Sequence, residues 1–378
     1  METSTTLAPV LAAASKAAAD VDATGRFPDE AVAALRASDL LGLTLPTDVG
    51  GMGGGPEDLV DVMSQLAAAC GSTAMIYLMH VSSAMVVAAA PPEGQPDLVR
   101  RMATGSALGT LAFSEPGSRS HFWAPVSQGR LDNGGVRLSA RKSWVTSAGH
   151  ADVYIVSTLA PPELVAETSP TTSDLFAIAA GTPGITVAGT FRGLGLRGNA
   201  STPMMFELAV TDDDRLGTPG GGFQLKLEAV MPWFNLGNAA VSLGLSQAAV
   251  DAAIGHASGA KLQHLGESLA ELPTIRAQLA RMSLDLAATR AYVLTAARSL
   301  ASPDESTTLH VLGVKAVAND AALRITDAAM RVCGGAAFSD HLQLERYFRD
   351  ARAGHVMAPT ADVLYDFYGK AVTGLPLF

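Results

Sequence analysis

The sequence predicts an α+β fold of three units in the order helical, β, helical bundle. Three changes of texture along its 378 residues predict it. Residues 1–108 place apolar side chains at helical steps, residues 109–218 hold short β-rich runs bounded by turn residues, and residues 219–378 return to long helical faces.

In the first unit, Ala31, Leu35 and Leu40, then Leu59, Val62, Met63 and Leu66, recur every three to five positions, as a half-buried helix requires. Between them, the glycine density of Pro46 to Gly55 predicts a loop. In the second unit, Asn133-Gly134-Gly135 followed by the alternating Val136 to Ala140 reads as a hairpin. Val153–Val156, Leu175–Ile178 and Ile185–Val187 are further strands of a small barrel or sandwich. In the third unit, Ile275, Leu279, Met282, Leu286 and Val293 trace one helical face, and Leu309, Leu312, Ala316 and Leu323 another. Gly334-Gly335 supplies a C-cap, and Ser339-Asp340 is read as the start of the next helix. Long helices with short connections predict a four-helix bundle.

Composition narrows the function classes. A hydrophobic share of 48% supports a large core, and a charged share of 16% argues against disorder. A net charge of −10 leaves no basic footprint for nucleic acid or an anionic membrane. Cys70 and Cys333, each in an apolar run, read as buried free thiols. No uninterrupted apolar span suggests a membrane helix. Met1-Glu2-Thr3 lacks the basic start of a signal peptide, so the expected location is cytoplasmic.

Two short segments carry the chemistry. Phe113-Ser114-Glu115-Pro116-Gly117-Ser118 is a tight turn, and Lys142-Ser143-Trp144-Val145-Thr146-Ser147 ends a strand. These segments resemble the flavin-contacting motifs of the acyl-CoA dehydrogenase family. A flavin ring that takes hydride at N5 gains negative charge along one edge and needs donors placed there in advance. The resemblance assigns that edge to backbone N–H groups and hydroxyls at Phe113, Ser114 and Ser120, N5 to Thr146 and a covering face to Trp144, and those residue types suit the roles. Pro46…Gly50-Gly51…Gly53, Leu194–Gly198 with Thr202, Leu279-Ala280…Met282, Cys333-Gly334-Gly335 and Arg349-Asp350-Ala351-Arg352 follow in that family's order.

The resemblance implies an acyl-CoA dehydrogenase-like architecture and FAD as cofactor, with FMN or an exchangeable reduced flavin as the alternative. It adds Arg331, Gly334, Gly335, Thr360 and Asp362 to the cofactor contacts. The Leu262–Gly266 segment keeps only the last residue of the pattern that holds the pyrophosphate. On the substrate side it points to Ser120, His121, Trp123, Phe234, Asn235 and Met357. A homodimer or homotetramer follows from it, as does an electron-accepting flavoprotein or a flavin reductase as partner.

One position departs from the pattern. Nine residues after Arg349, where the family carries its catalytic glutamate, stands Ala358, which offers only its backbone N–H, and Pro359 follows. The family's other base position aligns with Phe234. Three readings stay open: desaturation with a displaced base, flavin-dependent monooxygenation, or a non-catalytic flavin-binding relative. For a displaced base His355 is the first expectation, followed by His121, Asp362 and Glu345.

Overall fold

The computed structural model describes residues 2–264 and 266–378, so Met1 and Leu265, the latter within the Leu262–Gly266 segment, lie outside it. Five helices come first: α1 (Glu2–Thr24), α2 (Asp29–Ala37), α3 (Pro56–Ala69), α4 (Gly71–Ala89) and α5 (Leu98–Ala103). The glycine-rich stretch before α3 contains only one short 3₁₀ turn, Thr47–Val49. Helix α3 starts where Pro56 presets the backbone and the Asp58 carboxylate accepts the Gly55 N–H at 2.8 Å. Helix α4 is long and apolar enough to cross a membrane by length and composition, yet 78% of that window is buried inside the protein. Its residues are buried all round, so no amphipathic period announces it.

Two sheets pack face to face in the middle unit. One has the order β1 (Gly109–Ala112), β4 (Val153–Leu159), β5 (Ser173–Ala179), with β1 parallel to β4. The other has the order β2 (Arg130–Asp132), β3 (Gly135–Val145), β7 (Thr202–Val210), β6 (Ile185–Val187), all antiparallel. The β2–β3 hairpin pairs Asp132 with Gly135 across Asn133 and Gly134, both at positive φ, as the Asn-Gly signal requires. Along β3, Val136, Leu138, Ala140 and Lys142 point inward while their neighbours face out. The same alternation that buries three apolar side chains therefore buries an ammonium.

The chain then passes from α6 (Gly222–Leu225) through a π-helical turn (Lys226–Val230) into α7 (Met231–Gly259). After a two-stranded ribbon, β8 (Lys261–Leu262) and β9 (Glu267–Ser268), come α8 (Pro273–Ala301), α9 (Thr307–Cys333), α10 (Leu344–Val356) and α11 (Ala361–Thr373). Helix α9 is central and packs on α7, α8, α10 and α11, while α3 and α4 pack on α7. One helical core thus joins the first and last units, and a second lies between the two sheets. Gly334 does cap α9, at φ +54°. The helix expected from Ser339-Asp340 starts later, at Leu344. Ser339 and Asp340 lie in a turn, and Gln343, in the left-handed region, redirects the chain first.

Candidate functional site

A cavity of about 1150 Å³ opens where the β unit meets the bundle. Its walls come from the turn after β1 (Phe113–Pro116, Arg119–Phe122), the end of β3 (Ser143, Trp144, Thr146), the 191–201 loop, and α10 with the start of α11.

The two motif segments are bolted together by charge. Lys142 Nζ lies 2.6 Å from Glu115 Oε1, and both side chains are buried. Glu115 also accepts the backbone N–H groups of Val126 and Ser127 and the Ser127 hydroxyl. Burial works to raise the Glu115 carboxyl, but Lys142 and the Ser127 donors outweigh it and hold it below the usual carboxylate range. The Ser143 N–H donates to the Ser114 carbonyl at 2.8 Å, locking the turn to β3.

β3 is irregular between Lys142 and Val145, and Trp144 there takes φ +56°. A left-handed tryptophan is strained by about 1–3 kcal/mol, and the residue remains 65% exposed at the cavity wall. Below it, Thr146 Oγ1 lies 2.8 Å from Ser201 Oγ. A bare aromatic face, a buried hydroxyl and the backbone of Phe113 and Ser114 form a donor set that fits the flavin implied by the resemblance.

The opposite wall is held by α10. Gly195 passes so close to this helix that a side chain would meet backbone atoms of Arg349 and Asp350 at 2.5–2.6 Å. The adjacent Leu196 N–H donates to Asp350 Oδ1 at 2.6 Å. Burial pushes the Asp350 carboxyl up to about 6. A carboxyl raised above its unfolded value gives stability that is complete below about pH 4 and is lost as pH rises through about 6. Asp350→Asn should therefore flatten the stability–pH curve between pH 4 and 7. At pH 8 it should gain up to about 3 kcal/mol, measured by urea unfolding across that range.

Ser120 and Thr360 meet across the cavity: the Ser120 hydroxyl donates to Thr360 Oγ1 at 2.9 Å and accepts the Thr360 N–H at 2.9 Å. Phe113, Ser114, Ser120, His121, Trp144, Thr146, Phe234, Met357, Ala358, Thr360 and Asp362, all singled out in the sequence, line this one cavity.

Other expected residues are not brought there. His355 lies on the face of α10 turned from the cavity, with Nδ1 3.3 Å from Asp320 Oδ1, which corrects its expectation as the base. The side chains that α10 presents to the cavity are Arg349, Arg352, Ala353 and Val356, and helical spacing turns residue 355 away. Glu345 pairs with Arg349 at 3.2 Å. Trp123 packs behind the wall against Phe122, Phe367 and Phe378, its carbonyl accepting from the buried Lys226. Asn235 is buried in the bundle and donates to the Val311 carbonyl at 2.9 Å. Arg331 pairs with Asp327 at 3.3 Å beside a second cavity of about 430 Å³ between α8 and α9, with Gly334 and Gly335 at the end of α9 beyond it.

Sequence reasoning missed the 191–201 loop as a wall, and it missed Lys315 and Asp350 as buried supports. A lone lysine within Val311-Leu312-Gly313-Val314-Lys315-Ala316 was the one available signal for a buried ammonium.

Residues 8–106, 110–209 and 220–373 match the family models described as the N-terminal, middle and C-terminal domains of acyl-CoA dehydrogenase. The short-chain specific acyl-CoA dehydrogenase, mitochondrial, of Bos taurus is 28% identical over 349 residues, covering 92% of this chain and 83% of that protein. The solved butyryl-CoA dehydrogenase from Megasphaera elsdenii has a TM-score of 0.90 at 23% identity, covering 98% of each chain. PigA, solved with FAD and proline, has a TM-score of 0.86 at 17% identity, covering 97% of each chain.

Proposed function

We propose that this chain, which belongs to the acyl-CoA dehydrogenase family through all three of its domains, binds FAD in the larger cavity and desaturates an acyl thioester. The observation that carries this reading is the convergence of Phe113, Ser114, Trp144 and Thr146 with Met357, Ala358 and Thr360 on one cavity. When bound, FAD supplies the acceptor for the hydride. The chain's own residues do the rest. Thr146 and the Phe113–Ser114 backbone orient the ring edge, and Trp144 covers one face. Met75, Met79, Leu111, Phe122, Val230 and Phe234 line the cavity with apolar surface that suits an acyl chain and excludes water. Arg119 and Arg192, exposed cations on the same wall, suit the phosphates of a coenzyme A or carrier-protein arm.

Ala358 stands where the family places its base and offers only a backbone N–H toward the thioester carbonyl. Glu115 is committed to Lys142. We assign proton removal to His121, which adjoins Ser120 and is held edge-on to Trp123 at 5.1 Å between ring centres, and we leave Asp362 as a cofactor contact beside Thr360. Electrons leave to an electron-transferring flavoprotein. The assembly is a homodimer or homotetramer in which Arg331, Gly334 and Gly335 reach a neighbour's cofactor.

Anaerobic titration of the purified flavoprotein with acyl-CoAs tests the reading: one of them should bleach the flavin. His121→Asn should keep its colour and lose about 10²–10⁴ in the rate of flavin reduction, and Asp362→Asn should weaken flavin retention instead. Loss of reduction in Asp362→Asn with flavin retained would move the base to Asp362. Tightly held flavin that no thioester bleaches, with oxygen consumed once it is reduced, would replace desaturation by oxygenation.

A further inference from the structure

Residues 357–360 connect α10 to α11 and carry Met357 and Ala358 into the cavity wall. Connections of this kind normally run over the surface with their carbonyls in water. Here two of its carbonyls, joined by one from the last turn of α10, turn inward onto one side chain. Lys315, in the first third of α9, is completely buried, and its Nζ donates to the carbonyls of Gly354 (2.8 Å), Met357 (3.1 Å) and Pro359 (2.8 Å). Three acceptors use every proton of an ammonium. Two of them, Gly354 and Met357, belong to the end of α10, where the helix dipole favours a cation.

The approach is close by construction. A side chain at position 354 would meet Asn319 Oδ1 at 2.6 Å and Asn238 Oδ1 at 3.2 Å, so glycine lets α10 settle onto α7 and α9 without displacing these amides. Asn238 Nδ2 in turn lies 3.7 Å from Met357 Sδ. Burial pushes the Lys315 ammonium down to about 7. An apolar side chain of the same length would avoid that desolvation, which leaves the three bonds as what the charge is kept for.

We propose that Lys315 is a positioning residue: it fixes the backbone of residues 354–359, and through it the Ala358 N–H and Thr360, against the cavity without itself touching substrate or cofactor. What the segment faces rests on the function proposed above, but the tether does not.

Amide hydrogen exchange on the full chain separates tethering from general stabilisation. In Lys315→Met the amides of Met357 and Thr360 should exchange at least tenfold faster, while those of α7 and α8 keep their wild-type rates. Lys315→Gln, with fewer donors, should fall between. Unchanged exchange at Met357 and Thr360, or a uniform rise across the helices, overturns the proposal. The wild type supplies a check that needs no variant. At about pH 5.5, below the value of about 7 to which burial brings it, the Lys315 ammonium should give a ¹⁵N resonance protected from solvent exchange, and rapid exchange there overturns the proposal as well. A protein that purifies without flavin would sink the cofactor reading and leave these measurements legible.

Discussion

Lys142→Met should destabilise the protein by about 3–5 kcal/mol and strip it of flavin. The substitution keeps most of the apolar length of the side chain and removes the ammonium with its hydrogen-bond donors. Glu115, with a side chain 3% exposed, would then hold a buried carboxylate supported by Ser127 and the Val126 N–H alone. Lys142 also donates to the Ser157 carbonyl on β4, so its loss frees a contact between the two sheets. The turn after β1 and the end of β3 depend on this bolt, and the expected cofactor contacts sit on both. Urea unfolding and the visible absorbance of the purified protein would register the two effects together. Pairing the substitution with Glu115→Gln should recover part of the stability, because the unpaired charge is the larger cost. A single variant within about 1 kcal/mol of wild type would show that the pair is not what holds the motifs.

The second large effect is expected from Gly195→Ala. The new methyl group would lie 2.5 Å from the Arg349 carbonyl and 2.6 Å from the Asp350 nitrogen. These are backbone atoms of a helix, so no side-chain rotation relieves the clash. Either the 191–201 loop lifts off α10 or the helix moves. In both cases the Leu196 N–H loses Asp350, and a buried donor and acceptor are left unpaired. The combined cost is about 2–4 kcal/mol. Because Leu194, Gly195 and Leu196 line the cavity, flavin affinity should fall with it. Thermal unfolding and fluorescence titration of the apoprotein with FAD would check both. Wild-type values in each would mean that the loop and helix are not in the register described.

Local patterning made much of the fold readable. The alternation of Val136 to Ala140 and the Asn133-Gly134 pair sufficed for the hairpin, because strand period and turn chemistry are properties of adjacent residues. Met282, Leu286 and Val293 proved to be the buried face of α8 for the same reason. Helix α4 was not readable, since burial on every side erases its period. Strand β7 has turn residues on both sides, but Pro203 and the unbroken Met204-Met205-Phe206 run blur the alternation that its burial shows. Ser339-Asp340 carries good capping residues, yet nothing local to that pair revealed that Gln343 would take a left-handed turn before the helix began.

The site divides along the same line. Phe113, Ser114, Trp144 and Thr146 were legible because each motif is contiguous. Glu115 and Lys142 stood in those motifs, but their pairing across 27 positions was not. His355 looked well placed because it lies three residues from Ala358, and sequence distance does not tell which way a helical side chain points. Lys315 and Asp350 act through carbonyls and amides 39–154 positions away, a relation that no window of sequence contains.

The Ser120–Thr360 hydrogen bonds join positions 240 apart. On the proposed function, the two motif segments are synthesised long before the residues that close their cavity, so cofactor capture is expected late in maturation, and a ligand bound only by the finished pocket stabilises only finished molecules. Flavin content would then report how many chains in a preparation have docked their last two helices.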